Sequence, residues 1–516
     1  MLHPEPQYTP PTDQDREVFQ TLIPADHYLR KAVRTVDFER FRPLMVPCYS
    51  PTWGRPAKEP VLLLKLEFLQ YHDHLSDRQV MEQAQVNVAY REFLDLDLKS
   101  DLPDPSLLSR FRARLGAKGH RRIFDDLVAH AREQGLVKDR LRLKDATHVI
   151  ANVAIPTTIR LVAAMRDRLL DAAAASDPER VEGERLRAET IRSTEAEMSP
   201  EQRLEMRVTH LREILAWTEE LLPQRSHPWA ADESDAASLE EAVKLARKIL
   251  ADREHPDAGD RLVSLEEPDA RFGFHQGTYC GYLLDVLMDP DSEFITTLDV
   301  LPASGDEAAN AAVLVRQEEA THGNDVEALS ADSKLFQGEK LRELTDPQGL
   351  DLEVFVPPIK RPETKYFTPE DFLLDKTGET LTCPAGKTTT RRVPNCRESG
   401  WVYRFHRSDC AACPLLTKCM PKLPQQQGRA VNKGEYVAEY AAARAKAQTE
   451  EYAAVRKTHR KIERKLGEVV RHHGGRRARC RGQPKVLVQE LMAALVVNAQ
   501  RFVQLPCAEA TCLAEG

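Results

Sequence analysis

Residues 157–262 carry no strand pattern, and that block constrains what the rest of the chain can build. Just before it, RLRLKDATHVIANV alternates Leu141 and Leu143 with Arg140, Arg142 and Lys144, the period of a strand. Inside it, LVAAMRDRLLDAAAA and LEMRVTHLREILAWTEELL read as long amphipathic helices, with Leu204, Val208, Leu211, Leu215 and Leu222 on one stripe. Pro223 and Pro228 break that pattern, and a second helix runs from Ser238 to about Ala251. Strand patterning resumes at Thr278–Met288 and Glu293–Leu301, parted by the turn Asp289-Pro290-Asp291. A helix over Asp306–Glu319 follows, then a short strand ending at Asp332, a helix, and the strand DLEVFVPP. A first strand cut off by a helical arm, then strands alternating with helices, predicts an α/β chain with a mixed sheet flanked by helices.

Residues 1–22 read as a loose, disordered tail, and Ile23–Gly116 as helical. Val61, Leu62, Leu64, Leu66, Phe68 and Leu69 predict a buried helix. Ser76 and Gln79 form a capping box, with Leu75 and Val80 at the staple positions. Asp104-Pro105-Ser106 opens the helix LLSRFRARL, which Gly116 ends. Its Arg110, Arg112 and Arg114 are either plain surface or contacts to a nucleic-acid backbone.

Charge is segregated. Residues 161–270 hold 26 acids against 15 Lys and Arg, whereas 456–485 holds 12 Lys and Arg against two acids, Glu463 and Glu468. That pattern suggests a basic working surface and an acidic accessory one. No apolar run approaches the roughly 20 residues of a membrane span. The N-terminal MLHPEPQYTPPTDQ also lacks a signal core, so the expectation is a soluble cytoplasmic chain with no membrane partner. Its ten cysteines are then thiols or metal ligands. Cys383, Cys396, Cys410, Cys413 and Cys419 fall in the loop-rich segment 359–445, and Cys410-x-x-Cys413 has knuckle spacing. Two readings stay open: a structural Zn²⁺ on Cys383, Cys410, Cys413 and Cys419, with His406 or Cys396 as substitutes, or free thiols under a loop.

The basic stretch RKTHRKIERKLGEVVRHHGGRRARCRGQPK begins as a helix, with Ile462, Leu466, Val469 and Val470 on its apolar stripe. A neighbouring face presents Arg456, Arg460, Glu463, Gly467 and Arg471, a carboxylate framed by guanidinium groups. It is either a solvated basic helix or a metal-binding carboxylate brought to a phosphodiester by a phosphate-gripping helix. The following HHGGRRARCRG, with Arg476, Arg477, Arg479 and Arg481, is Gly-flexible and cationic, suited to tracking a backbone without reading bases.

Together these segments resemble a bacterial insertion-sequence transposase of the DDE type. The residues that carry the resemblance are DATHVIANV with Asp145, ADSKLFQGEKL with Asp332, and HRKIERKLGEVVRHHGGRRARCRG with Glu463. IPADHYLR, GRPAKEPVLLLK, LSDRQVMEQAQVNVAYREFLDLD and LPDPSLLSRFRARLG are similar to the helical domain that precedes such catalytic domains. CPAG…CAACPLLTKC is similar to a cysteine-bearing insertion.

The resemblance implies an RNase H-like catalytic domain over 135–157, 263–359 and 446–505. It also implies a helical DNA-binding domain over 23–125, a helical insertion over 158–262 and a cysteine-containing insertion over 360–445. Asp145, Asp332 and Glu463 would hold Mg²⁺ (or Mn²⁺), while Arg456, Arg460, Arg471, Arg476, Arg477, Arg479, Arg481, Arg110 and Arg114 would meet DNA. The implied partners are the double-stranded terminal inverted repeats of a mobile element and target DNA, and the protein would act as a homodimer on DNA. Where some relatives have Tyr and Arg before the Glu and Lys after it, this chain has Arg456, His459 and Val470, and Glu468 competes with Glu463. The alternatives are a non-catalytic DNA-binding derivative and a related metal-dependent nuclease.

Overall fold

The computed structural model describes residues 9–505 apart from 55, 223–232, 256–258, 276, 360–364, 376, 396–398, 423 and 425. The expected helix break at Pro223 and Pro228 and the substitute ligand Cys396 lie outside the described residues. Helices α1 (Asp13–Leu22), α2 (Tyr28–Val36), α3 (Arg42–Met45), α4 (Pro60–His72), α5 (Asp77–Val86), α6 (Val88–Phe93) and α7 (Ser106–Glu133) precede β1 (Arg142–Ile150). Helices α8 (Thr158–Ala173), α9 (Pro178–Thr194), α10 (Pro200–Leu221) and α11 (Glu233–Glu254) follow. Next come β2 (Arg271–Phe274), β3 (Thr278–Met288), β4 (Ile295–Pro302), α12 (Glu307–His322), β5 (Ala328–Ser330), α13 (Gly338–Thr345) and β6 (Glu353–Phe355). Short strands β7 (Leu373–Leu374), β8 (Leu381–Thr382), β9 (Thr388–Thr389), β10 (Arg392–Pro394) and β11 (Gly400–Arg404) come next. The chain continues through α14 (Arg407–Ala411), α15 (Leu416–Cys419), β12 (Ala430–Gly434), α16 (Val437–Lys446), α17 (Glu450–His472) and α18 (Gln483–Gln504).

The chain divides into two compact units, Met1–Lys138 with Ala146–Glu307 and Ile462–Gly516, and Asp139–Asp145 with Ala308–Lys461. In the first, α18 is the central element, packed by α2, α4, α7 and β4. It is long and apolar enough to cross a membrane, a property the sequence reading passed over, but 78% of that stretch is buried inside the protein. Its buried polar groups are spent on irregular backbone. Asn498 accepts from Ile295 N at 2.9 Å and donates to Ile295 O at 2.8 Å, closing the start of β4 as a neighbouring strand would. Around it, α4 is buried on nearly every face and α5 starts in the expected Ser76–Gln79 capping box. Gly116, at φ +58°, interrupts α7 where the sequence ends a helix, and a new helical run begins at once.

One expectation is corrected here. Residues 13–22, read as part of a disordered tail, form α1, because Thr12 and Asp15 close a capping box and Phe19 is buried. The arm α8–α11 is helical as expected, with Val208, Leu211, Ile214, Leu215 and Trp217 in its own apolar core. Beside it β2, β3 and β4 form an antiparallel meander, with Leu283 opposite Leu301. Ala151, just past β1, donates to Cys280 O at 2.9 Å. This approach is close because position 281 is glycine, where a Cβ would fall 2.0 Å from Val149 O.

In the second unit the first half of β1, β5 and β6 are parallel, Arg142 facing Leu329 and Ala328 facing Glu353. Arg142 is fully buried and is neutralised by Glu318 on α12, Nη2 to Oε1 at 2.6 Å. The segment 366–434 forms two small three-stranded sheets, β7-β8-β9 and β10-β11-β12.

Candidate active site and basic surface

Parallel pairing sets the geometry of the site. Arg142 lies opposite Leu329 and Leu143 opposite Ser330, so the same register carried two residues on puts Asp145 level with Asp332. Neighbouring strands lie about 4.8 Å apart, and residues level across a parallel pair face the same side. The backbone at Asp332 is still extended (φ −76°, ψ 179°), and its Oδ1 caps the following turn by accepting from Lys334 N at 3.0 Å. Its Oδ2 makes no hydrogen bond among the described residues. Asp145, the fourth residue of β1, and Asp332, two residues past the end of β5, thus come from segments 187 residues apart (332 − 145) and stand level across the pair.

The first half of α17 is fastened to that strand end. Arg456 Nη1 donates to Ala331 O at 2.7 Å and to Ser330 Oγ at 3.3 Å. His459 Nδ1 stands 3.1 Å from the same Oγ. Burial, then the neighbouring Arg456 charge, pushes the His459 ring down to about 4. The imidazole is neutral at pH 7, able to accept the Ser330 proton while Arg456 donates to the oxygen. Glu463 lies one helical turn beyond His459 on α17, is exposed, and makes no ion pair among the described residues. Glu468 is tied to Lys465 at 2.9 Å, which leaves Glu463 the freer carboxylate. Among the described residues no three His, Cys, Asp or Glu side chains stand in metal-holding geometry.

The arginines divide into two kinds. Arg460, Arg471, Arg477 and Arg110 are exposed. Arg456, expected on the phosphate-binding face, is half-buried and committed to β5 because it satisfies the last carbonyl of that strand end. Arg476 donates to His148 O and Thr147 Oγ1, Arg479 donates to Leu75 O and lies over the Tyr71 ring, and Arg481 pairs with Glu266. Arg114 is exposed but stacks on Tyr49. The stretch HHGGRRARCRG, read as flexible, is instead pinned. Ile150 N donates to Arg476 O and Ala478 N to Ile150 O, extending β1 by a bridge, and the Gln489 amide donates to the carbonyls of Gly474 and Arg477. Sequence reasoning missed the Ser330–His459 contact, whose only trace was Arg456 and His459 standing where relatives have Tyr and Arg.

In the second unit Cys383, Cys410, Cys413 and Cys419 are free thiols lining one pocket. His406 precedes α14 without a side-chain capping bond and turns its Nδ1 toward Arg391.

Residues 17–114 match the family model described as Transposase domain (DUF772), and residues 382–503 match the one described as Transposase DDE domain. These two matches support an insertion-sequence DDE transposase. The first match begins inside α1, consistent with that helix being part of the transposase domain. The second runs from the cysteine segment through Glu463 to α18, and Asp145 and Asp332 lie outside it. No curated relative and no solved structure matches the transposase significantly.

Proposed function

We propose that this transposase binds the ends of its mobile element and cuts and joins DNA, with Asp145, Asp332 and Glu463 as its catalytic acids. The observation that carries the reading is the register that brings Asp145, inside β1, level with Asp332, two residues past β5. Oxygen donors from distant segments suit Mg²⁺ or Mn²⁺, and the unpartnered Oδ2 of Asp332 fits that use. Divalent ions held there would activate the attacking oxygen and stabilise the leaving one in an in-line displacement at phosphorus. The chain's own part is placement. Arg456 and His459 fix the first half of α17 at the end of β5, and Glu463 follows one turn later in the sequence. The exposed Arg460, Arg471 and Arg477 offset phosphate charge and fix the DNA without reading bases. Two short strands parallel to the first half of β1 support an RNase H-like catalytic domain. Holding both element ends during joining calls for a second copy, so a homodimer on DNA is part of the proposal.

The test uses DNA ending in the inverted repeats that flank the gene. Mg²⁺- or Mn²⁺-dependent cleavage and strand transfer should fall by on the order of 10³-fold or more in Asp145→Asn, Asp332→Asn and Glu463→Gln, with DNA binding retained. Undiminished cleavage in Asp145→Asn removes the site assignment. Binding without cleavage in any divalent metal would leave the non-catalytic reading standing.

A further inference from the structure

The cysteine segment has the marks of a small fold that lacks a sufficient core. Its apolar cluster is Phe372, Leu381, Tyr403, Phe405 and Val431, packed with Phe367 and three half-buried cysteines, and Met420 is buried as well. Strands of two to five residues and a cluster of this size are too little to hold some 70 residues in place without a staple. Cys383, Cys410, Cys413 and Cys419 line a single cavity of about 30 Å³ whose other walls are chiefly Phe372, Phe405, Leu416 and Met420. We propose that these four thiols bind one structural Zn²⁺, which closes the cavity and staples segment 366–434.

The local backbone supports that use. Cys383 begins a turn in which Gly386, at φ +78°, donates to Cys383 O at 2.8 Å. Cys413 N donates to Cys410 O at 3.2 Å, the turn of a two-residue knuckle. The peptide N–H of Arg429 already points at Cys410 Sγ, at 3.4 Å, the kind of contact that stabilises a thiolate. Gly428 is needed beside it, since a Cβ there would sit 2.6 Å from that sulfur. A thiophilic dication favours the thiolates of such a set. An all-sulfur set disfavours Mg²⁺ or Ca²⁺. The thiols do not yet stand in ligand geometry among the described residues, so binding must draw them inward.

The experiment is metal analysis of the full chain purified under reducing conditions, with thiol alkylation read by mass. About one zinc per chain is expected, falling to near zero in Cys410→Ser/Cys413→Ser and unchanged in Cys48→Ser/Cys480→Ser. Should the double variant fail to fold, wild-type protein decides alone. Four thiols should then alkylate roughly tenfold faster or more once a chelator is added. Cobalt substitution should give sulfur-to-metal charge-transfer absorption. No bound metal, iron in place of zinc, chelator-independent alkylation, or disulfides among these cysteines would each overturn the proposal.

Discussion

Glu490 is fully buried on α18, its Oε1 accepting from Gln489 Nε2 at 3.1 Å and its Oε2 unpartnered beside Gly475, where a Cβ would come within 2.8 Å. Desolvation pushes its carboxyl up to about 8, against weaker downward pulls from the Gln489 hydrogen bond and from Arg479 and Arg476. The folded protein therefore keeps a proton that the unfolded chain releases above its ordinary 4.5. Stability from this site is present below that value and is lost as pH rises toward 8. Glu490→Gln keeps the shape and removes the titration, so it should gain about 3 kcal/mol at pH 7 and little at pH 4. Urea unfolding at the two pH values checks this, and an equal effect at both would refute a neutral buried acid. The glycine pair His473-Gly474-Gly475 in the sequence gave no hint of this. Gly475 is small to leave room for the Glu490 carboxyl.

At the scale of elements, what could be read from the sequence was what is local. The α17 stripe Ile462, Leu466 and Val469 is buried as its spacing predicts, and the Ser76–Gln79 box starts its helix. The strands that carry Asp145 and precede Asp332 were legible too, because alternation marks strands over a few residues, although β1 runs on past Asp145 to Ile150. What stayed hidden depends on partners far along the chain. Lys465 and His459, read as part of a basic helix, are buried, and His459 meets Ser330 across 129 residues. Strands β7–β10 run for only two or three residues, too short for a period to register. Pro10 and Pro11 masked the Thr12–Asp15 box that begins α1. Gly281 likewise looked ordinary inside a strand pattern, yet it sets how near β3 comes to β1. Gly281→Ala should part the two strands and cost on the order of 3 kcal/mol, read as a lowered urea midpoint. A variant as stable as the wild type would show that the approach is not tight.

Over the whole molecule, the −8 net charge conceals the surface that matters for DNA. Residues 161–270 carry much of the negative excess, on an arm with its own core, whereas 456–485 carries a formal +10 (12 − 2). Not all of that charge can meet phosphate, since Arg456, Arg476 and Arg479 already donate to main-chain carbonyls. The distinction has a thermodynamic signature. Each cation that neutralises a phosphate releases a counterion, so removing one flattens the dependence of log K on log salt by about 0.9. Arg460→Ala, Arg471→Ala and Arg477→Ala should each lower the slope by that amount and leave the melting temperature unchanged within a degree or two. Arg479→Ala should behave oppositely, keeping the slope but melting earlier, because Leu75 O and the Tyr71 ring lose their partner. Binding measured by fluorescence anisotropy across a salt series, beside melting curves of the same variants, separates the two kinds. If the three exposed arginines leave the slope untouched, DNA is met elsewhere. The next place to look would then be residues 383–433, whose ten Lys and Arg against two acids form a second basic segment.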